Sequence, residues 1–151
     1  MSYVKRVLQP GEEIKHVSQL HWIVYLPGFV FLIVGLFGLI LFIPTQSSPI
    51  PSVFMGLAFI FGLLGIFWAW FERLTTEIAV TNRRIIYKRG FIRRYTTEMN
   101  MDKVESVHVD QSFWGRILDY GTIIVRGTGT GIEPLHKIDS PLEFRNFVTA
   151  R

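Results

Sequence analysis

The sequence predicts a membrane α-helical hairpin, two transmembrane helices long, followed by a small mainly-β domain that ends in a helix. Three observations lead there. Two long runs between Trp22 and Phe71 carry no charge, a short proline-rich connector joins them, and continuous apolarity gives way to alternation from Thr75 onward. Hydrophobic residues make up 49% of the 151-residue chain, and that excess is concentrated before Glu72. The remainder is large enough for one small core.

The first run, Trp22 to Ile43, would extend roughly 33 Å as a helix, enough to cross a bilayer core of about 30 Å. The second, Val53 to Phe71, would extend roughly 28 Å. Trp22 and Tyr25 begin the first run, and Trp68 and Trp70 end the second. In antiparallel helices these rings would share one interface as an aromatic belt. The connector, residues 44–52, contains Pro44, Pro49 and Pro51. Proline cannot continue a helix, so the first span is expected to stop at Pro44 and the second to start after Pro51.

Basic residues set the expected orientation. Lys5, Arg6 and Lys15 precede the first span, Arg73 and Arg83 follow the second, and the connector has none. The positive-inside rule places both termini in the cytoplasm and the chain in the cell membrane. The first run is too long for a signal-peptide core and lacks a small-residue cleavage pattern.

Within the spans, Ala58, Gly62, Gly65 and Ala69 form a small-residue stripe on the second helix, and Gly28 and Gly35 lie on the first. Such residues let helices approach closely in lipid. They serve packing within the hairpin or, as an alternative, a homo-oligomer interface. Neither span holds an ionisable residue, which disfavours a two-helix pump.

The leader, residues 1–21, holds the turn Pro10-Gly11-Glu12. Ile14, Val17 and Leu20 then recur at helical spacing, so a short interfacial helix is expected, with His16 and His21 as interfacial polar groups. In the cytoplasmic part, residues 73–151, strands are expected around Ile78–Val80, Ile85–Tyr87, Phe91–Asn100, Val104–Val109, Thr122–Arg126 and Ile132–Ile138. Residues between Gln111 and Tyr120 read as a tight helical turn, with Phe113, Trp114 and Leu118 as core or interface contacts. Ser140-Pro141 starts a C-terminal helix, with Ser140 as its cap and Leu142, Phe144, Phe147 and Val148 as its apolar side.

The strings TNRRIIYKRG, VESVHVDQSFWGRILDYGTIIVRG and IDSPLEFRNFV, with the leader's Pro10-Gly11-Glu12 and His21-Trp22, carry a resemblance over nearly the whole chain. In their order and spacing they resemble the bacterial membrane-associated PH-domain family, the second class of bacterial pleckstrin-homology domains, whose members commonly place two transmembrane helices before the domain. The resemblance implies a PH-like barrel closed by a C-terminal helix, and no reaction. Thr81, Asn82 and Arg83 match its turn-and-strand signature. Gln111, Gly115, Arg116, Tyr120 and Gly121 match a later one, in fold-determining roles.

The strongest charge feature runs from Thr81 to Thr97, where Arg83, Arg84, Lys88, Arg89, Arg93 and Arg94 occur with no acid between them. Anionic headgroups attract juxtamembrane cations by about 1 kcal/mol each. These six are the candidate lipid- or partner-binding residues, against a solvated face that only satisfies topology. The basics come as adjacent pairs, which point to opposite faces of a strand, so a single phosphate pocket is disfavoured.

Gly127 to Gly131 lacks the lysine and helix of a phosphate loop and reads as a hairpin turn. The chain has no cysteine, and its histidines are isolated, so no metal or cofactor is expected. With no acid–base constellation, no enzymatic activity is expected either. A net charge of +4 is modest for a nucleic-acid partner, and none is expected. The expected function is a membrane-anchored, non-enzymatic interaction module at the inner face of a bacterial cytoplasmic membrane, binding an unknown protein partner and/or anionic lipid. The competing reading is an oligomeric pore or transport accessory subunit.

Overall fold

The computed structural model describes residues 3–42, 49–91, 94–129 and 131–150. The chain divides into two compact units, Trp22–Glu72 and a second one that joins Met1–His21 to Arg73–Arg151. The apolar helices therefore interrupt the β-rich unit instead of preceding it.

In the β-rich unit, helix α1 (Tyr3–Val7) leads into strand β1 (Ile14–Ser18). The expected interfacial helix is absent there. The Ile14/Val17/Leu20 spacing loses to pairing, because β1 runs antiparallel to β2 (Glu77–Thr81), with Ser18 opposite Ile78. Strands β3 (Arg84–Arg89) and β4 (Tyr95–Asn100) complete a four-stranded sheet in the order β1-β2-β3-β4. Strands β5 (Val104–Asp110), β6 (Tyr120–Gly127) and β7 (Leu135–Asp139) form a second antiparallel sheet. Residues 19–21 join the two: Leu20 bridges Ile138, and the His21 N–H donates to the Lys137 carbonyl at 2.8 Å.

Seven of the eleven residues of β2 and β3 are buried, because both faces of the sheet are covered there. Val80 and Ile85 face one side of the sheet, and the Ala79–Ile86 pair faces the other. Val4 of α1 covers that second side, with Tyr3, Val7 and Ile14 around it. The leader thus supplies both an edge strand and a lid.

Helix α5 (Pro141–Thr149) packs on β5, β6, β1 and β2. Phe144 and Val148 are its buried face, whereas Leu142 is exposed and Phe147 stacks on His16 at 4.7 Å instead of entering the core. Ser140 does not cap the helix through its side chain. It lies at φ +46°, and its hydroxyl donates to Asp119 at 2.9 Å.

In the apolar unit, a 3-10 turn at Trp22–Tyr25 precedes α2 (Leu26–Phe42), and α3 runs from Pro49 to Thr75. The second helix starts before Val53 and ends beyond Phe71. Pro49 and Pro51 are tolerated because first-turn N–H groups need no helical partner, and Glu72 and Arg73 continue the helix into its polar end. Both helices are long and apolar enough to cross a membrane by length and composition. Residues 43–48, most of the expected connector, lie outside the described residues.

The two helices pack antiparallel at close range. A Cβ on Gly35 would strike the Phe59 backbone, one on Gly62 the Leu32 backbone, and one on Gly28 would lie 2.8 Å from the Ile66 nitrogen. Gly65 faces the Gly28 Cα at ordinary contact distance, Ala69 is buried and Ala58 half-buried. The atoms that a Cβ on Gly28, Gly35 or Gly62 would meet thus belong to the same chain.

Because β1 and β2 are hydrogen-bonded neighbours, the helices occupy what would otherwise be a hairpin loop. Replacing residues 22–72 with about ten Gly/Ser residues should therefore leave a cooperatively folding β-rich unit. Far-UV circular dichroism and a dispersed amide NMR spectrum would check it. A collapsed spectrum would contradict the insertion.

Candidate functional site

The six candidate cations do not form one patch. The register places Arg84 opposite Asn100 at one end of β3 and Arg89 opposite Tyr95 at the other. A six-residue strand separates those ends by about 17 Å.

At the first end, Arg84 is part of the leader's anchorage. Its Nε and Nη2 donate to the two Glu12 carboxylate oxygens at 2.9 Å each, a bidentate pair. Nη2 also donates to the Val7 carbonyl at 2.7 Å, and Nη1 to Glu98 at 2.7 Å. Glu12 further accepts from the Gln9 N–H at 2.8 Å and the Thr81 hydroxyl at 2.8 Å. Beside it Asn82 exchanges hydrogen bonds with Glu13 and donates to the Gly11 carbonyl at 3.2 Å. Thr81 and Asn82, two of the three residues of the turn signature, thus clamp the leader onto the β2–β3 turn.

Electrostatics follow from that geometry. Burial alone would push the Glu12 carboxyl up, but the hydrogen bonds from Arg84, Gln9 and Thr81 and the Arg84 charge outweigh it. They lower the pKa from 4.5 to about 2. The Arg84 guanidinium moves above its ordinary value, chiefly through the Glu12 hydrogen bond and against burial, with help from Glu98.

Lys88 is committed as well. Its Nζ lies 3.6 Å from Glu77 and 5.5 Å from the centre of the Tyr3 ring. Glu77 in turn accepts the N–H groups of Tyr3 and Val4 at 3.0 and 3.2 Å. Lys88 therefore fixes α1 to the sheet. Arg83 is exposed but belongs to the Glu12 end. Arg93 lies outside the described residues.

Arg89 and Arg94 are both exposed, beside Phe91 and Tyr95, which are 66% and 46% exposed. Their turn joins β3 to β4 at the end where Glu77, opposite Lys88, begins β2. Thr76 alone separates that strand from α3. β1 also finishes at this end, and the chain leaves it at His21 for Trp22. Both connections to the apolar helices thus emerge at one end of the β-rich unit, and the Arg89–Tyr95 turn shares it.

The turn between β5 and β6 shares it too. Helix α4 (Phe113–Ile117) ends just before Tyr120, whose ring stacks on His21 at 5.2 Å. His21 itself is buried, with Nε2 4.0 Å from Asp139, so it is a packing residue and not an interfacial one. Phe113 and Trp114, expected as core or interface contacts, are both more than 60% exposed. The available signal was Gly115: on a one-turn helix, a buried glycine turns its neighbours outward. Gly121 is likewise buried, and a Cβ there would lie 2.8 Å from the Asp110 carbonyl. Gly127 ends β6 opposite Val104, and Gly129 lies in the following turn with φ +93°.

A family model described as a bacterial PH domain matches residues 23–151. No curated protein and no solved structure matches the chain. The family match begins beyond β1 and Glu12, so the leader strand lies ahead of it.

The Glu12 pair predicts a pH dependence. A carboxyl held below its unfolded pKa contributes stability above about pH 4.5 and loses it as pH falls toward 2, by on the order of 2 kcal/mol. Glu12→Gln should lower the thermal midpoint at about neutral pH and flatten the acid slope. Thermal scans of the detergent-solubilised chain between about pH 6 and 3 measure this. Equal slopes for both chains would contradict the assignment.

Proposed function

The chain belongs to the bacterial PH domain family, and on that premise we propose that it is a membrane-anchored, non-enzymatic interaction module. In this reading the apolar hairpin spans a bacterial cytoplasmic membrane with both termini inside. The β-rich unit lies against the inner leaflet and presents its surface to anionic lipid and to protein partners.

One observation carries the reading. The two chain connections to the apolar helices emerge at the same end of the domain as the exposed turn bearing Arg89, Phe91, Arg94 and Tyr95. If the helices span, that turn is held within reach of the headgroups by connections of about one residue. Cations beside exposed aromatic rings are the composition that interfaces favour. Intrachain neighbours at Gly28, Gly35 and Gly62 favour the anchor over the pore reading.

The lipid-facing set is accordingly smaller than the basic string. Each exposed cation at a surface of anionic lipid contributes about 1 kcal/mol, or roughly fivefold in affinity. Arg89→Gln with Arg94→Gln should therefore weaken vesicle binding of the hairpin-excised unit by roughly tenfold or more. Arg83→Gln, at the opposite end, should change it less than about twofold. Co-sedimentation with vesicles of mixed anionic and neutral lipid, at low and high salt, is the measurement. Binding that ignores both salt and the Arg89/Arg94 pair would contradict lipid docking through this turn.

A further inference from the structure

Helix α4 turns its apolar side chains to solvent. Phe113, Trp114 and Ile117 are 72%, 64% and 59% exposed, and the two rings meet edge-on at 5.6 Å. Leaving them there forgoes about 1.5–3 kcal/mol of burial for each side chain.

The arrangement is held by the turn itself. The Ser112 hydroxyl accepts the Gly115 N–H at 3.1 Å. The Gln111 side-chain amide donates to the carbonyls of Gly115 and Tyr120 at 3.3 and 3.2 Å. A Cβ on Gly115 would sit 2.6 Å from the Tyr120 oxygen, so this face of the turn stays against β6. The outward face is left to Phe113, Trp114, Ile117 and the exposed Arg116. No acid occurs between Gln111 and Leu118.

Place and size identify the occupant. Tyr120, on which α4 rests, stacks on His21, and the chain leaves the domain at His21 for the first apolar segment. Three side chains of this kind bury about 500 Å² together, below the roughly 800 Å² per partner of a stable protein interface. The same side chains with one cation suffice for interfacial insertion in lipid.

We propose that α4 is an interfacial wedge: Phe113, Trp114 and Ile117 enter the headgroup–acyl boundary of an anionic bilayer, and Arg116 meets the lipid phosphates. The domain is then docked through side chains of its β5–β6 turn as well as through its two chain connections. This rests on the membrane-anchored reading above.

The absence of cysteine allows single reporters in the full chain. Phe113→Cys, Ile117→Cys, Thr128→Cys and Leu64→Cys would each carry an environment-sensitive fluorophore. Each variant would be reconstituted in vesicles of phosphatidylglycerol and phosphatidylcholine. Lipid with a spin label near the headgroup end of its chains is the quencher. A wedge predicts blue-shifted emission at positions 113 and 117, quenched at least about twofold more than at the exposed Thr128 position. Arg116→Gln should reduce that difference. Quenching at position 64 with water-like emission at 113 and 117 would overturn the wedge and leave the anchor standing. Absence of quenching at 64 would overturn the anchor and the wedge together. A blue shift at 113 that depends on protein concentration and not on the quencher would assign α4 to a second copy, and so also overturn the wedge.

Discussion

Strands β1 and β2 are hydrogen-bonded neighbours separated in sequence by both apolar helices. Everything else about the molecule is organised by that pairing. An antiparallel pair needs its connecting ends at one edge of the sheet, so the chain must leave and re-enter the domain at the same end. A domain placed after a hairpin would have a single connection to it, whereas here the chain passes between the two units twice, after His21 and before Arg73. The constraint decides which loops share that end: the β3–β4 turn, α4 and the β7–α5 junction lie there, and the β2–β3 turn does not.

A long loop closure carries an entropic cost, and the leader offsets it with specific contacts. Covering Ala79 and Ile86 with Val4 makes β2 buried on both faces, which explains why EIAVT is apolar without strict alternation. The Glu12–Arg84 pair then locks the leader in register. A buried charge pair contributes little stability when compared with an apolar substitute, yet breaking one partner is costly because the other remains buried. Its contribution is to specificity: the bidentate geometry admits one alignment of residues 9–12 on the β2–β3 turn. Glu98 and the Val7 carbonyl absorb the remaining guanidinium donors, so the arginine is almost fully satisfied.

Periodicity made the hairpin and most strands legible. The helix at Pro141–Thr149 was readable from Ser140-Pro141, and the helical turn before Tyr120 from its lack of alternation. The leader does not read as a strand because apolar positions at 14, 17 and 20, spread over seven residues, fit a helix better. Only the partner strand, more than fifty residues away, decides between them. The second helix was clipped at Pro51 because proline's interior cost was applied to a first turn, where it does not arise. The basic string was legible as composition and not as geometry. No pattern within residues 81–97 reveals that Arg84 faces Glu12 or that Lys88 faces Glu77, since both acids lie outside the string.

That partition changes what charge counting can support. Six cations in sequence suggest a strong electrostatic surface, but a cation paired in the folded chain has its field compensated locally and adds little at a distance. Among the described residues, the exposed cations lie at two ends of β3, and the end carrying Arg89 and Arg94 also carries the exposed rings of Phe91 and Tyr95. Charge attracts from a distance and falls off within a Debye length, whereas apolar side chains act only on contact. In the membrane-anchored reading proposed above, the cations would set the approach and the rings the depth. The two chain connections would then make the encounter nearly intramolecular, so a modest contribution from each group would be enough.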